Sequence, residues 1–133
     1  MRDMDYTSLF KNNGGKKSKV GIIGATRGYG YTLLAQIPKV ELMELRLISS
    51  RHTDECVEVL TGLGYRKEDI IICGNKEQVQ SAPGQGVLIV NDYRLVLESD
   101  ITALVECTGN TAVSSEVSAD ALKKGINVYL SLI

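Results

Sequence analysis

The sequence contains no tryptophan, one phenylalanine and six tyrosines. So few flat side chains leave little from which to build a stacking platform for single-stranded nucleic acid or sugars. No sign of charge prevails either: 15 basic residues stand against 16 acidic ones, for a net charge of −1. The basic excess of a nucleic-acid binder is therefore missing. The three cysteines, Cys56, Cys73 and Cys107, are odd in number, widely spaced and form no CxxC pair. That usage argues against a disulfide framework and a zinc clamp, and it predicts a reduced, cytoplasmic setting. No apolar run approaches the roughly 18 to 20 residues of a membrane span. The opening residues, Met1 to Asp5, lack the apolar stretch of a secretion signal. Neither nucleic acid nor a membrane is expected as a partner.

What is present fits one domain. Hydrophobic residues make up 44% and charged residues 23% of 133 positions, enough for a core without covalent staples. Thirteen glycines against two prolines favour many tight strand-to-helix turns. Residues 1–18 stand apart. The stretch Lys11-Asn12-Asn13-Gly14-Gly15-Lys16-Lys17-Ser18 is polar and basic, and reads as a flexible N-terminal arm. The domain is expected over 19–133.

From Lys19 onward, strand and helix patterns alternate. Short apolar runs predict strands over Val20–Ile23, Leu45–Ile48, Ile70–Cys73, Val87–Val90, Ala103–Cys107 and Ile126–Leu130. Helical spacing predicts helices over Tyr31–Ile37, stopped by Pro38, and over Asp54–Leu63, with Thr53 or Asp54 as cap and Gly64 closing it. Shorter helical pieces are expected over Lys76–Ser81 and Tyr93–Leu97, and a longer one over Ser114–Lys124 ahead of Gly125. Ile- and Val-rich strands separated by helices predict an α/β fold: a doubly wound parallel sheet, Rossmann-like, in three α/β/α layers.

The stretch Gly24-Ala25-Thr26-Arg27-Gly28-Tyr29-Gly30 lies between the first strand and the first helix, where a dinucleotide fold needs glycines. There they permit a sharp turn, a close backbone approach to pyrophosphate and tight helix packing, while the helix start offers free N–H groups. The spacing departs from the usual one. GxGxxG would need glycine at Thr26 and Tyr29, and GxxGxxG would need it at Arg27, with Gly28 one place late. Gly24, Ala25, Thr26, Arg27, Gly28 and Gly30 are the expected pyrophosphate residues. The Lys-Ser/Thr ending of a nucleotide-hydrolase P-loop is absent.

The second strand ends in Ile48-Ser49-Ser50-Arg51-His52, with no acid to hold both ribose hydroxyls of NAD. Ser50 and Arg51 would instead suit a 2′-phosphate, so the expected cofactor is NADP or NAD, with NADP favoured. His52, the only histidine, has no catalytic companion nearby in sequence. At the end of the fifth strand, Glu106-Cys107-Thr108-Gly109-Asn110 falls at the expected topological switch point. Gly109 would admit the cofactor, and Thr108 or Asn110 could hydrogen-bond its nicotinamide half. Asn110 or Thr111 is equally a candidate cap for the next helix. The three cysteines read as buried small hydrophobes.

These segments, Lys19–Ala25 running on through Leu34, Leu47–Arg51, Val105–Asn110 and Gly125–Val128, together resemble the amino-terminal domain of NAD(P)-dependent oxidoreductases. Within it, the homoserine dehydrogenase-like group with a later SAF domain is the most similar. The glycine turn and the Pro38-Lys39-Val40-Glu41-Leu42 stretch are also similar to the semialdehyde dehydrogenase and acetylglutamyl-phosphate reductase type. The resemblance implies a Rossmann domain, a nicotinamide cofactor and hydride transfer at a carbonyl or alcohol carbon. It also implies that catalytic and substrate residues belong to a further domain, so that this segment alone would be inactive. A dinucleotide-sensing regulatory domain is the alternative in another class, and a structural domain that binds nothing is a third. Homo-oligomer formation through an exposed edge of the last strand is an associated expectation.

Overall fold

The computed structural model describes residues 17–24, 29–108 and 110–130. Six strands are present: β1 (Ser18–Ile23), β2 (Met43–Ser49), β3 (Ile70–Cys73), β4 (Val87–Val90), β5 (Ala103–Glu106) and β6 (Asn127–Leu130). The helices are α1 (Tyr29–Gln36), α2 (Thr53–Gly62), α3 (Lys76–Gln80) and α4 (Thr111–Lys123). Short 3₁₀ segments occupy Ile37–Lys39, Lys67–Asp69 and Tyr93–Glu98.

The strands form one parallel sheet in the order β3-β4-β2-β1-β5-β6. Central strands have both faces covered, so they read as unbroken apolar runs; every residue of β4 is buried. On one face, Leu33 and Leu34 of α1 and Cys56 and Leu60 of α2 pack against Val20, Ile22, Ile89 and Val105. On the other, Val79 of α3, Val96 of the 3₁₀ turn, and Val117 and Ala121 of α4 pack against Ile23, Leu47, Leu88 and Leu104. This is the doubly wound, three-layer α/β architecture expected from the sequence. The chain leaves central β1 toward β2, β3 and β4, then crosses to β5 and β6 on the other side of β1. The direction of winding therefore reverses between β1 and β5, which makes that gap the topological switch point.

Several local expectations shift. Pro38 does stop α1, but at Gln36, and Ile37 begins a 3₁₀ turn. Helix α2 takes His52 as its cap residue, not Thr53 or Asp54, and no side chain caps it. The reason is local. The Ser50 hydroxyl accepts the His52 N–H at 3.2 Å, and the His52 carbonyl already accepts from Cys56 N at 3.1 Å, which starts the helix one residue early. Asp54 and Glu55 then stand in the first turn, where the helix dipole favours acids. Ser18 is the first residue of β1 and fully buried, so it belongs to the sheet and not to the arm. The rest of the expected arm, apart from Lys17, lies outside the described residues.

One feature of β2 breaks its apolar pattern. Leu45 sits opposite Val20 but Leu47 opposite Gly21, so Arg46 is the extra residue of a β-bulge. Its side chain is 3% exposed. The guanidinium donates to Asp100 Oδ1 at 2.7 Å, to the Gly86 carbonyl at 3.0 Å and to the Pro83 carbonyl. Asp100 Oδ2 also receives Lys19 Nζ at 2.7 Å. This lock sits where β4 and β5 begin, at the end of the sheet away from the glycine turn.

Candidate functional site

The carboxyl ends of four strands are tied side by side. Gly24 N donates to the Ser49 carbonyl at 3.0 Å, Ser50 N to Val90 O at 3.0 Å, and Cys107 N to Ile23 O at 2.9 Å. These bonds continue the ladders past the strands and bring the ends of β1, β2, β4 and β5 onto one edge. Open α/β sheets bind ligands outside such an edge, at the switch point.

Gly24 opens the first turn with φ +83°, a conformation that favours glycine. A Cβ there would lie 3.2 Å from both Thr108 Cγ2 and Thr108 N, and 3.3 Å from the Cys107 carbonyl carbon. The turn after β1 and the turn after β5 are thus in direct contact, and only a residue without a side chain lets them meet. Ala25, Thr26, Arg27, Gly28 and Gly109 lie outside the described residues. Gly30 falls in the first turn of α1. A close approach that a Cβ would fill, at the carboxyl end of β1, fits what a pyrophosphate requires.

Thr108 faces Gly24, and Asn110 follows it at the start of α4. Asn110 is the cap of α4: its Oδ1 accepts from Ala112 N at 3.0 Å and Val113 N at 3.2 Å. Of the two caps left open by the sequence, Asn110 therefore takes the role and Thr111 is the first helical residue. The Thr108 hydroxyl accepts Asn110 N–H at 3.0 Å and donates to Glu106. Glu106 itself is 1% exposed and also takes Thr108 N–H at 2.7 Å and the Ser114 hydroxyl. Sequence reasoning did not single out this carboxyl group. The available signal was a glutamate ending an otherwise apolar strand.

At the β2 end, the Ser50 hydroxyl is engaged by His52 N–H, whereas Arg51 is exposed and no described residue pairs with its guanidinium. Cys107 follows β5 instead of lying within it, and is half-buried. Burial, reinforced by the neighbouring Glu106 carboxylate, pushes its thiol up to about 12. A thiol so far from ionising is no nucleophile near neutral pH. Cys56 and Cys73 are buried, and burial raises both thiols. Among the described residues no cluster of three His, Cys, Asp or Glu side chains is placed to hold a metal ion. No helix among them is long and apolar enough to cross a membrane.

No protein-family model matches the sequence, and no curated protein is detectably similar to it. Among solved structures, the chain is similar to a myo-inositol dehydrogenase from Corynebacterium glutamicum, with a TM-score of 0.59 and 16% identity. The match covers 86% of this chain but 27% of that one, so the chain spans about a quarter of its neighbour's length. At that identity the likeness establishes a shared fold, the Rossmann-like parallel α/β sheet.

Proposed function

We propose that this chain is the NAD(P)-binding domain of an oxidoreductase. The observation that carries the reading is the meeting of Gly24 with Thr108 at the β1/β5 switch point. Two turns that close on each other there, one opening onto a helix start, make a crevice suited to a dinucleotide. Gly24, Ala25, Thr26, Arg27, Gly28 and Gly30 would border the pyrophosphate. Thr108, Gly109 and Asn110 would border the nicotinamide half. The shared fold with a dehydrogenase supports the same class. The bound nicotinamide would supply the hydride chemistry, and this domain would bind and orient it.

The finer parts of the reading rest on sequence. The resemblance to the homoserine dehydrogenase-like group supports a carbonyl or alcohol substrate, and a cytoplasmic enzyme whose substrate residues stand in a further domain. The exposed guanidinium of Arg51 beside Ser50, which no described residue pairs, supports NADP over NAD. Calorimetric titration with NADPH and NADH, beside a Gly28→Arg variant, tests both points. Micromolar binding lost in the variant is the expected result, with NADPH the tighter ligand. Absence of binding to either cofactor would overturn the proposal, and clearly tighter NADH binding would overturn the NADP preference.

A further inference from the structure

The buried carboxyl group of Glu106 has no part in the reading above, yet it is costly to keep. It ends a strand otherwise made of Ala, Leu and Val, and is 1% exposed. A carboxylate among apolar side chains is tolerated only when its oxygens are matched. Both are matched, and among the described residues every partner belongs to the turn or the helix that follows. Oε1 takes the Thr108 N–H at 2.7 Å and the Thr108 hydroxyl; Oε2 takes the hydroxyl of Ser114 at the start of α4. From Thr108 the chain of bonds runs on to Asn110 N–H at 3.0 Å, and from Asn110 into α4. The same Thr108 presses against Gly24. Glu106 therefore grips one wall of the crevice from behind, while β2 and its Ser50-Arg51 end lie on the far side of β1.

Resting on the dinucleotide reading, we propose that Glu106 is a positioning residue for the nicotinamide half of the cofactor. It fixes the β5–α4 turn and touches no ligand itself. The adenosine half, over the end of β2, does not depend on it. A residue that merely stabilised the fold would affect both halves alike.

The test is calorimetric titration of the chain with NADPH, NADH and ADP, the last lacking the nicotinamide half. Glu106→Ala is expected to weaken the preferred dinucleotide by about tenfold, while ADP affinity stays within about twofold. Glu106→Gln should recover most of the loss, because an amide oxygen still accepts from Thr108 and the amide nitrogen can donate to Ser114. Ser114→Ala removes one bond from outside the strand and serves if Glu106→Ala does not fold. It should cost the dinucleotide about threefold and leave ADP unchanged. Equal losses for ADP and dinucleotide, no loss at all, or no recovery with Glu106→Gln would overturn the inference alone. A wild-type chain that binds no dinucleotide would overturn the underlying reading and this inference with it.

Discussion

A single backbone angle lets the chain after β1 meet the turn after β5, where the dinucleotide is proposed to bind. At φ +83° Gly24 tolerates no other residue cheaply, and a Cβ would press on the backbone of Cys107 and Thr108. Gly24→Val should therefore cost about 2 kcal/mol or more in urea unfolding, from left-handed strain and the lost close approach. It should also abolish dinucleotide binding at temperatures where the variant remains folded. The neighbouring thiol gives a second prediction at this scale. With Cys107 pushed up to about 12, its thiolate fraction at pH 8 is only about one in ten thousand. Iodoacetamide should modify it slowly in the folded chain, with a rate that keeps rising tenfold per pH step and does not level off near pH 9. Levelling near pH 9 would show an ordinary thiol. The glycine was legible in sequence because its position between strand and helix has few other uses. Glu106 was not, because its partners at 108 and 114 become neighbours only when the β5–α4 turn closes.

Elements whose character is set by their own residues were readable to within two or three residues. Strands β3 and β4 match the expected spans at both ends, since each is simply a short apolar run between breakers, although only β4 is buried throughout and Ile72 of the edge strand β3 is exposed. Helix α4 extends three residues earlier than its hydrophobic spacing suggests, because Asn110 supplies the cap that the spacing does not register. Asn110→Ala should lower stability by about 1 kcal/mol, whereas Asn110→Asp should hold it, as read from urea midpoints. An Asn110→Ala variant of wild-type stability would mean that the Glu106–Ser114 bond anchors the helix start unaided. Features that join distant parts were invisible beforehand. The bulge at Arg46 needs β1 to define its register, and its ion-pair partner lies 54 positions downstream. The strand order, with β4 slotted between β3 and β2, leaves no mark on any one segment.

At the scale of the whole molecule, the sheet has two ends built differently. The proposed dinucleotide site lies at the carboxyl ends of the strands. The lock of Arg46, Lys19 and Asp100 lies at the other end, roughly 17–20 Å away by the length of a strand of this size. Burial pushes the Asp100 carboxyl up, but the hydrogen bonds from Lys19 and Arg46 outweigh it and hold the group below its usual value. A carboxyl lowered on folding contributes stability that is complete above its unfolded value of about 3.9, and lost as pH falls through the folded value. Asp100→Asn should remove that share of the acid loss, giving a flatter stability profile below about pH 4 than the wild type. Near neutral pH it should cost about 1–3 kcal/mol, because the nearly buried Arg46 guanidinium exchanges its ionic partner for a neutral amide oxygen beside the carbonyls of Pro83 and Gly86. Asp100 is itself 44% exposed, so water softens the loss. If the two ends act independently, the variant will bind NADPH at neutral pH as the wild type does, despite its lower urea midpoint. A parallel fall in affinity and stability would instead mean that the shape of the crevice depends on the lock at the far end of the sheet.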